Sequence, residues 1–310
     1  YTKRLLGEMR VYRYEDDSLM LHNDLYQINM AESYWNDGIH ERNAVFDLYF
    51  RNMPFGSGYA VFNGLKRMIQ FIENFHFSDS DIEYLQSIGY KNDFLKYLKN
   101  LKFTGNIRAM QEGELCFGNE PLLRVEAPLI QAQLIETILL NIVNFHTLIT
   151  TKASRIRQVA PQDTLMEFGT RRAQEIDAAV WGARAAYIGG FDSTSNVRAG
   201  KLFDIPVSGT HAHALVQTYG DEYKAFKIYA ERHKNCVFLV DTFHTLKSGV
   251  PTAIKVAKEL GDSINFIGIR LDSGDIAYLS KKARRMLDDA GFKDAKIIAS
   301  NDLDEQTITS

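Results

Sequence analysis

Ile264-Asn265-Phe266-Ile267-Gly268-Ile269-Arg270-Leu271-Asp272-Ser273-Gly274-Asp275 is the stretch that decides the fold class. A short, mostly apolar run ends in an arginine, two carboxylates, a hydroxyl and a glycine. A buried strand of a parallel sheet reads this way when it delivers polar groups at its carboxyl end. Working outward, five further runs share the pattern: Thr164–Phe168, Ala186–Ile188, Ile205–Val207, Val237–Val240 and Lys296–Ala299. In chain order the six starts are spaced 22, 19, 32, 27 and 32 residues apart, and helix-like segments fill several gaps. Pro251–Leu260 is the clearest of these, with proline at a helix start and Gly261 after its end. That cadence predicts βα units with parallel strands.

Upstream of Ala127-Pro128 the character differs. A helix is expected over Asp24–Trp35, a strand over Ala44–Phe50, and a helix after Gly64, where Leu65, Met68, Ile69 and Ile72 recur at spacings of three and four. Gly105–Val125 reads as short strands broken by Gly113, Gly118 and Pro121. Gln131–Val159 reads as a long apolar helix, continuous or with one break. The reading is therefore an α+β domain over residues 12–126 followed by an α/β domain over residues 127–310.

The charge balance argues against a dedicated nucleic-acid binder, because 310 residues carry a formal net charge of −3 where such proteins show a basic excess. Cys116 and Cys236 stand 120 residues apart with no CxxC spacing, so neither a disulfide framework nor a cysteine zinc site is indicated. The richest apolar stretch, Ile135–Ile149, is interrupted by Glu136, Asn141, Asn144 and His146, short of the roughly 20 apolar residues a membrane span needs. The first ten residues have no apolar core and are no signal peptide. The expectation is a soluble, cytoplasmic protein.

The residues after the six runs carry the chemistry. They are Gly169-Thr170-Arg171-Arg172, Gly189-Gly190-Phe191-Asp192-Ser193, Ser208-Gly209-Thr210-His211-Ala212-His213, Asp241-Thr242-Phe243-His244, Arg270-Leu271-Asp272-Ser273-Gly274-Asp275 and Ser300-Asn301-Asp302. Strand ends of this composition predict one shared polar pocket. No GxxxxGK(S/T) loop and no GxGxxG is present, so phosphate would be held by arginines and glycine-hydroxyl turns. The Arg171-Arg172 pair taken alone reads more readily as a solvated salt-bridge face. His211 and His213 form an HxH that would share a face on a strand and diverge at a helix start. A metal pair, a buried structural pair and a nucleophilic or acid–base histidine all stay open. Asp241 follows an apolar run, as in the phosphoribosyl pyrophosphate motif of type I phosphoribosyltransferases, but Thr242 stands where that motif has a second acid.

Taken jointly, several segments resemble the nicotinate phosphoribosyltransferase family. They are Asn23-Asp24-Leu25-Tyr26-Gln27, Glu167-Phe168-Gly169-Thr170-Arg171-Arg172, Gly190-Phe191-Asp192-Ser193-Thr194-Ser195-Asn196, Gly209-Thr210-His211-Ala212-His213, Gly268–Asp275 and Ser300-Asn301-Asp302. The resemblance runs in order from about Tyr12 to the last residue, is similar to bacterial members, and leaves residues 1–11 as a leader or as sequence added for expression. It implies an irregular α/β barrel joined to a smaller N-terminal α+β domain, and a homodimer with shared active sites. It also implies a chain that continues past Ser310, with a further phosphate loop and a return into the first domain.

The activity so implied joins nicotinate to phosphoribosyl pyrophosphate, with coupled ATP hydrolysis and Mg²⁺, as the entry of nicotinate into NAD salvage. Residue by residue, the resemblance gives His213 as the histidine phosphorylated by ATP. It gives Tyr26, Phe168, Arg171, Thr210 and Arg270 to nicotinate. Asp192, Ser193, Asp272, Ser273, Gly274 and Asn301 fall to phosphoribosyl pyrophosphate, and no metal ligand is assigned in the protein. His211 occupies a variable position of its motif. The competing readings are a nicotinamide phosphoribosyltransferase, an HxH metal-dependent barrel hydrolase, and a ligand-binding remnant without turnover.

Overall fold

The computed structural model describes residues 18–309, so the leader expected over residues 1–11 lies outside it. The chain forms two compact units, one ending at Ile205 and the other beginning at Pro206. The first unit runs α1 (Leu25–Asn36), β1 (Asn43–Leu48), β2 (Ala60–Val61), α2 (Leu65–Glu73), α3 (Asp79–Ser87), α4 (Asn92–Asn100), β3 (Asn106–Ala109), β4 (Leu115–Cys116), β5 (Leu123–Pro128) and α5 (Leu129–Val159). It closes with β6 (Met166–Glu167), α6 (Glu175–Ile188), β7 (Ser193–Thr194) and α7 (Val197–Phe203). The second contains α8 (His213–Tyr219), α9 (Glu222–Arg232), β8 (Asn235–Leu239), α10 (Val250–Leu260), β9 (Asn265–Leu271), α11 (Ile276–Asp289), β10 (Lys296–Ala299) and α12 (Glu305–Thr309).

In the first unit β1, β5 and β3 form an antiparallel sheet in that order. The change of sequence character at Ala127-Pro128 falls where β5 passes into α5. Val125 and Ala127 share one core with Ile130, Leu134, Ile135, Ile138 and Leu139. Helix α5 runs unbroken for 31 residues, consistent with the absence of any interior glycine or proline. By length and composition it could cross a bilayer, yet its apolar face is spent on this core. Its buried hydroxyls also cross-link the strand region: Thr151 accepts the Val61 N–H at 2.9 Å and Thr147 the Asn63 N–H at 3.2 Å.

The second unit is built on a parallel sheet ordered β10-β9-β8. The expected strands Val237–Val240, Ile264–Ile269 and Lys296–Ala299 are these three, and Phe226, Phe238, Val256, Ile269 and Leu287 pack around them. Gly249 packs so closely on the Val240 carbonyl, and Gly268 on that of Lys296, that a Cβ at either site would overlap the oxygen. Only glycine allows these backbone approaches.

Two expected strands are corrected. Ala186–Ile188 is the last turn of α6, whose alanine-rich sequence from Ala178 to Ala186 packs as a helix. The segment Gly189–Asp192 is thus a helix-to-strand connection into β7, rather than a loop leaving a strand. Ile205–Val207 makes only an isolated bridge at Val207. Parallel pairing of β6 with β7 and of β8 with β9 and β10 shows the α/β class; it does not show a closed barrel.

Candidate active site

The strand ends of the second unit converge on Asp241, the residue following β8 and Val240. Its side chain is 1% exposed, so its charge is tolerable only if fully hydrogen-bonded. The Asp272 N–H donates to Oδ2 at 2.8 Å and the Ser273 hydroxyl donates to the same oxygen at 2.6 Å. The other oxygen, Oδ1, lies 3.1 Å from His213 Nε2. Parallel register brings these groups together, because β8 pairs Leu239 with Arg270 and so carries Asp241 level with the residues that follow β9.

Arg270 and Asp272 extend the cluster. The Arg270 guanidinium donates through Nη2 to the His211 carbonyl at 3.0 Å, and its Nη1 lies 3.5 Å from Asp272 Oδ1. The Ser300 hydroxyl, at the end of β10, makes a short hydrogen bond to the same Asp272 oxygen. The Thr210 hydroxyl donates to the His211 carbonyl at 3.3 Å. Gly274 has φ +76, and Asp275 then caps α11 by accepting the Tyr278 N–H at 2.9 Å. Asn301 is exposed and left-handed at φ 95. Thr210, His213, Arg270, Asp272 and Ser273 are thereby joined through Asp241, Ser300 and the His211 carbonyl.

The two histidines of the HxH diverge, as a helix start requires. His213 opens α8 with its side chain 34% exposed, while His211 is buried against Phe226 and Tyr229. Burial pushes the His211 imidazole down to about 4, and the neighbouring positive charge of Arg270 acts in the same direction. Each ring has its own partner, so the pair does not form a metal-binding face. Among the described residues no group of three histidine, cysteine or acidic side chains is placed to hold a metal.

The remaining expected residues lie in the first unit. On the β6–β7 pair, Glu167 gathers two segments: its carboxylate accepts the Gly169 N–H and, at 2.7 Å, the Thr194 hydroxyl. Phe168 is half-buried beside it, and Arg171 is exposed on the turn Thr170–Arg172. Ser193 is buried on β7, with its hydroxyl unpartnered. Asp192 is taken up by Arg157, which donates to it at 2.6 Å and also binds the carbonyls of Gly190, Ala160 and Asp163. The Leu165 N–H is the main cause holding the Asp192 carboxyl below its usual value, and Arg157 adds to it. Tyr26, on α1, is 53% exposed and lines a cavity of about 500 Å³ with Tyr49, Phe50, Asn52, Leu140 and Asn144.

Sequence reading gave no role to Asp241 or Arg157. Asp241 carried a usable signal, an acid directly after a buried strand; judging it against a two-acid motif hid that. Arg157 sits near the end of a long helix and carries no local signal at all.

Comparison with known proteins covers both units. A family model described as the nicotinate phosphoribosyltransferase (NAPRTase) N-terminal domain matches residues 21–144, and one described as the nicotinate phosphoribosyltransferase (NAPRTase) family matches residues 164–310. The nicotinate phosphoribosyltransferase of Bacillus subtilis strain 168 is 69% identical over 301 residues, 97% of this chain and 61% of that protein. The chain thus spans about three-fifths of that relative's length. The crystal structure of human nicotinic acid phosphoribosyltransferase superposes with a TM-score of 0.86 at 32% identity, over 92% of this chain and 69% of that one. A nicotinate-nucleotide pyrophosphorylase from Pyrococcus furiosus, 24% identical with a TM-score of 0.80 over 98% of this chain and 71% of its own, shares the fold. On the two family models and these relatives, the chain belongs to the nicotinate phosphoribosyltransferase family.

Proposed function

We propose that the protein is a nicotinate phosphoribosyltransferase of NAD salvage, coupled to ATP and acting as a cytoplasmic homodimer with shared active sites. The observation that carries this reading is the Asp241 cluster, which ties His213, Arg270, Asp272 and Ser273 into one polar site in a chain of that family. In the reaction the pyridine nitrogen forms a bond to ribose C1′. The C1′–O bond breaks with its electron pair leaving on pyrophosphate. No proton need move, because the ring nitrogen carries none. The site therefore works by holding charges apart rather than by acid–base chemistry.

Arg270 supplies the guanidinium for the nicotinate carboxylate, with Thr210 and Arg171 as further donors. Tyr26 and Phe168 cover the pyridine faces. Asp272 accepts hydrogen bonds from the ribose hydroxyls, and Ser273, Gly274, Asp192, Ser193 and Asn301 serve phosphoribosyl pyrophosphate. Mg²⁺, when bound, neutralises the leaving pyrophosphate. Mg²⁺ usually keeps phosphate oxygens and waters as ligands.

His213 is the group that couples ATP. With Nε2–H donated to Asp241, the Nδ1 lone pair remains as nucleophile for the γ-phosphorus; the Nδ1–P bond forms and ADP leaves. Incubation with γ-labelled ATP should place acid-labile label on His213. His213→Ala should lose ATP hydrolysis while a slow ATP-independent transfer survives. Acid-stable label on a serine, or unchanged ATP hydrolysis in the variant, contradicts the assignment. Both this chain and a form extended to the length of the Bacillus relative belong in the assay, and the reading requires turnover in the extended form.

A further inference from the structure

The first histidine of the HxH, His211, has no part in the chemistry above, yet its ring is the more constrained of the two. His211 Nε2 accepts the backbone N–H of Leu239 at 3.2 Å. Its Nδ1 faces the Ala212 carbonyl at 3.4 Å. The two contacts fix the tautomer: Nδ1 carries the proton, and Nε2 must stay bare, since an N–H there would point at another N–H. His211 is 8% exposed and enclosed by Phe226 and Tyr229 of α9. The titratable and charged groups facing it are Arg270 and His213, and the His233 ring lies tilted against Tyr229 with centroids 4.5 Å apart.

The placement follows a two-residue repeat. Along β8 and its exit, Leu239 and Asp241 stand two apart, one offering its backbone N–H and the other its carboxylate. His211 and His213 are also two apart, and each meets one of them: ring to Leu239 N–H, ring to Asp241 carboxylate. The backbone carbonyl of His211 meanwhile receives the Arg270 guanidinium at 3.0 Å. A slip of the segment 210–213 would therefore displace three contacts together.

We propose that His211 is a positioning residue, a neutral imidazole pinned to the edge of β8 that registers His213 against Asp241 and holds Arg270 for the nicotinate carboxylate. Its functional half rests on the proposed roles of His213 and Arg270. Leucine at 211 fills the same space but cannot accept the Leu239 N–H. Glutamine places an amide oxygen near the position of Nε2 and restores the acceptor without a titratable ring.

The test compares the extended protein as wild type, His211→Leu and His211→Gln. His211→Leu should raise the KM for nicotinate and slow ATP-dependent labelling of His213, each by about tenfold or more, the scale of one buried hydrogen bond. His211→Gln should bring both back to within about threefold of wild type. Equal impairment of the two variants, or a leucine variant with wild-type kinetics, overturns the proposal. Imidazole ¹⁵N spectra of the wild type give a readout independent of turnover and of variant folding. His211 should show a protonated Nδ1 and a bare Nε2 throughout pH 5.5–8; the opposite tautomer overturns it. If the wild type transfers no phosphoribosyl group while the spectra are as expected, the functional reading fails and the pin on β8 stands.

Discussion

Replacing Asp241 by asparagine probes the hub of the site while keeping its shape. The carboxylate accepts three hydrogen bonds in near-complete burial, two on Oδ2 from Asp272 N–H and Ser273 O–H and one on Oδ1 from His213 Nε2. With its oxygen in the Oδ2 position, an amide keeps the first two in weakened, uncharged form. It then turns an NH₂ toward His213, forcing the imidazole either to switch tautomer or to lose the contact. Hydrogen bonds to a charged group contribute about 1.5–3 kcal/mol each. Losing one and weakening two should therefore cost about 3 kcal/mol, roughly a hundredfold or more in kcat/KM. Most of it should appear in ATP-coupled transfer, because His213 loses its partner. The assay is initial-rate formation of nicotinate mononucleotide with and without ATP, alongside urea unfolding. A variant within threefold of wild type in coupled transfer, and equally stable, would refute the hub role.

Three further outcomes follow from the same geometry. His211, held at about 4 in the fold against an ordinary 6.5, and His146, pushed down mainly by burial, both bind protons more readily once unfolded. Their stabilisation is complete above pH 6.5 and lost as pH falls toward the folded values. His211 alone should account for about 3 kcal/mol between pH 7 and 4; unfolding free energies that stay flat over that range refute it. Glu112 accepts the Lys66 N–H at 3.0 Å and pairs with Arg184 at 2.6 Å, with both side chains about one-seventh exposed. Glu112→Leu should destabilise by about 3–5 kcal/mol, the cost of orphaning a buried charge, as read by denaturant titration. Finally, Tyr26→Ala and Arg270→Ala proteins, each nearly inactive, should recover roughly a quarter of wild-type activity after subunit exchange if the site is shared across a two-fold dimer. No recovery despite proven exchange places both residues in one chain's pocket.

The parallel sheet of the second unit was legible because its strands are short apolar runs, β8 almost wholly buried and β9 partly so. Runs such as Val237–Val240 stand out against polar flanks, and their ends carry the acids and hydroxyls of the site. Ala186–Ile188 misled because a three-residue apolar run has no periodicity of its own. Only its continuity with Ala178–Ala185 marks it as helix. Asp272, Ser273 and His213 could be given roles from the sequence, whereas Asp241 showed there only as an acid after a buried strand. Its place as their common partner emerges when register sets β8 beside β9. Arg157, which ties Asp192 to the end of α5, depends on contacts up to 35 residues apart in sequence and has no local signature. The role of His211 likewise comes from a buried strand-edge N–H meeting an imidazole, a match that spacing alone cannot show.

The central claim is that the site is built for an anionic pyridine. The most direct measurement is the initial rate of mononucleotide formation from nicotinate and from nicotinamide at equal concentration, in wild type and Arg270→Ala. Nicotinate should be preferred by the wild type. The substitution should remove that preference, lowering kcat/KM for nicotinate by about ten- to a hundredfold, the worth of one charge-assisted pair, while hardly changing the slow reaction of nicotinamide. Equal or better use of nicotinamide by the wild type, or a preference for nicotinate that survives without Arg270, would contradict the account.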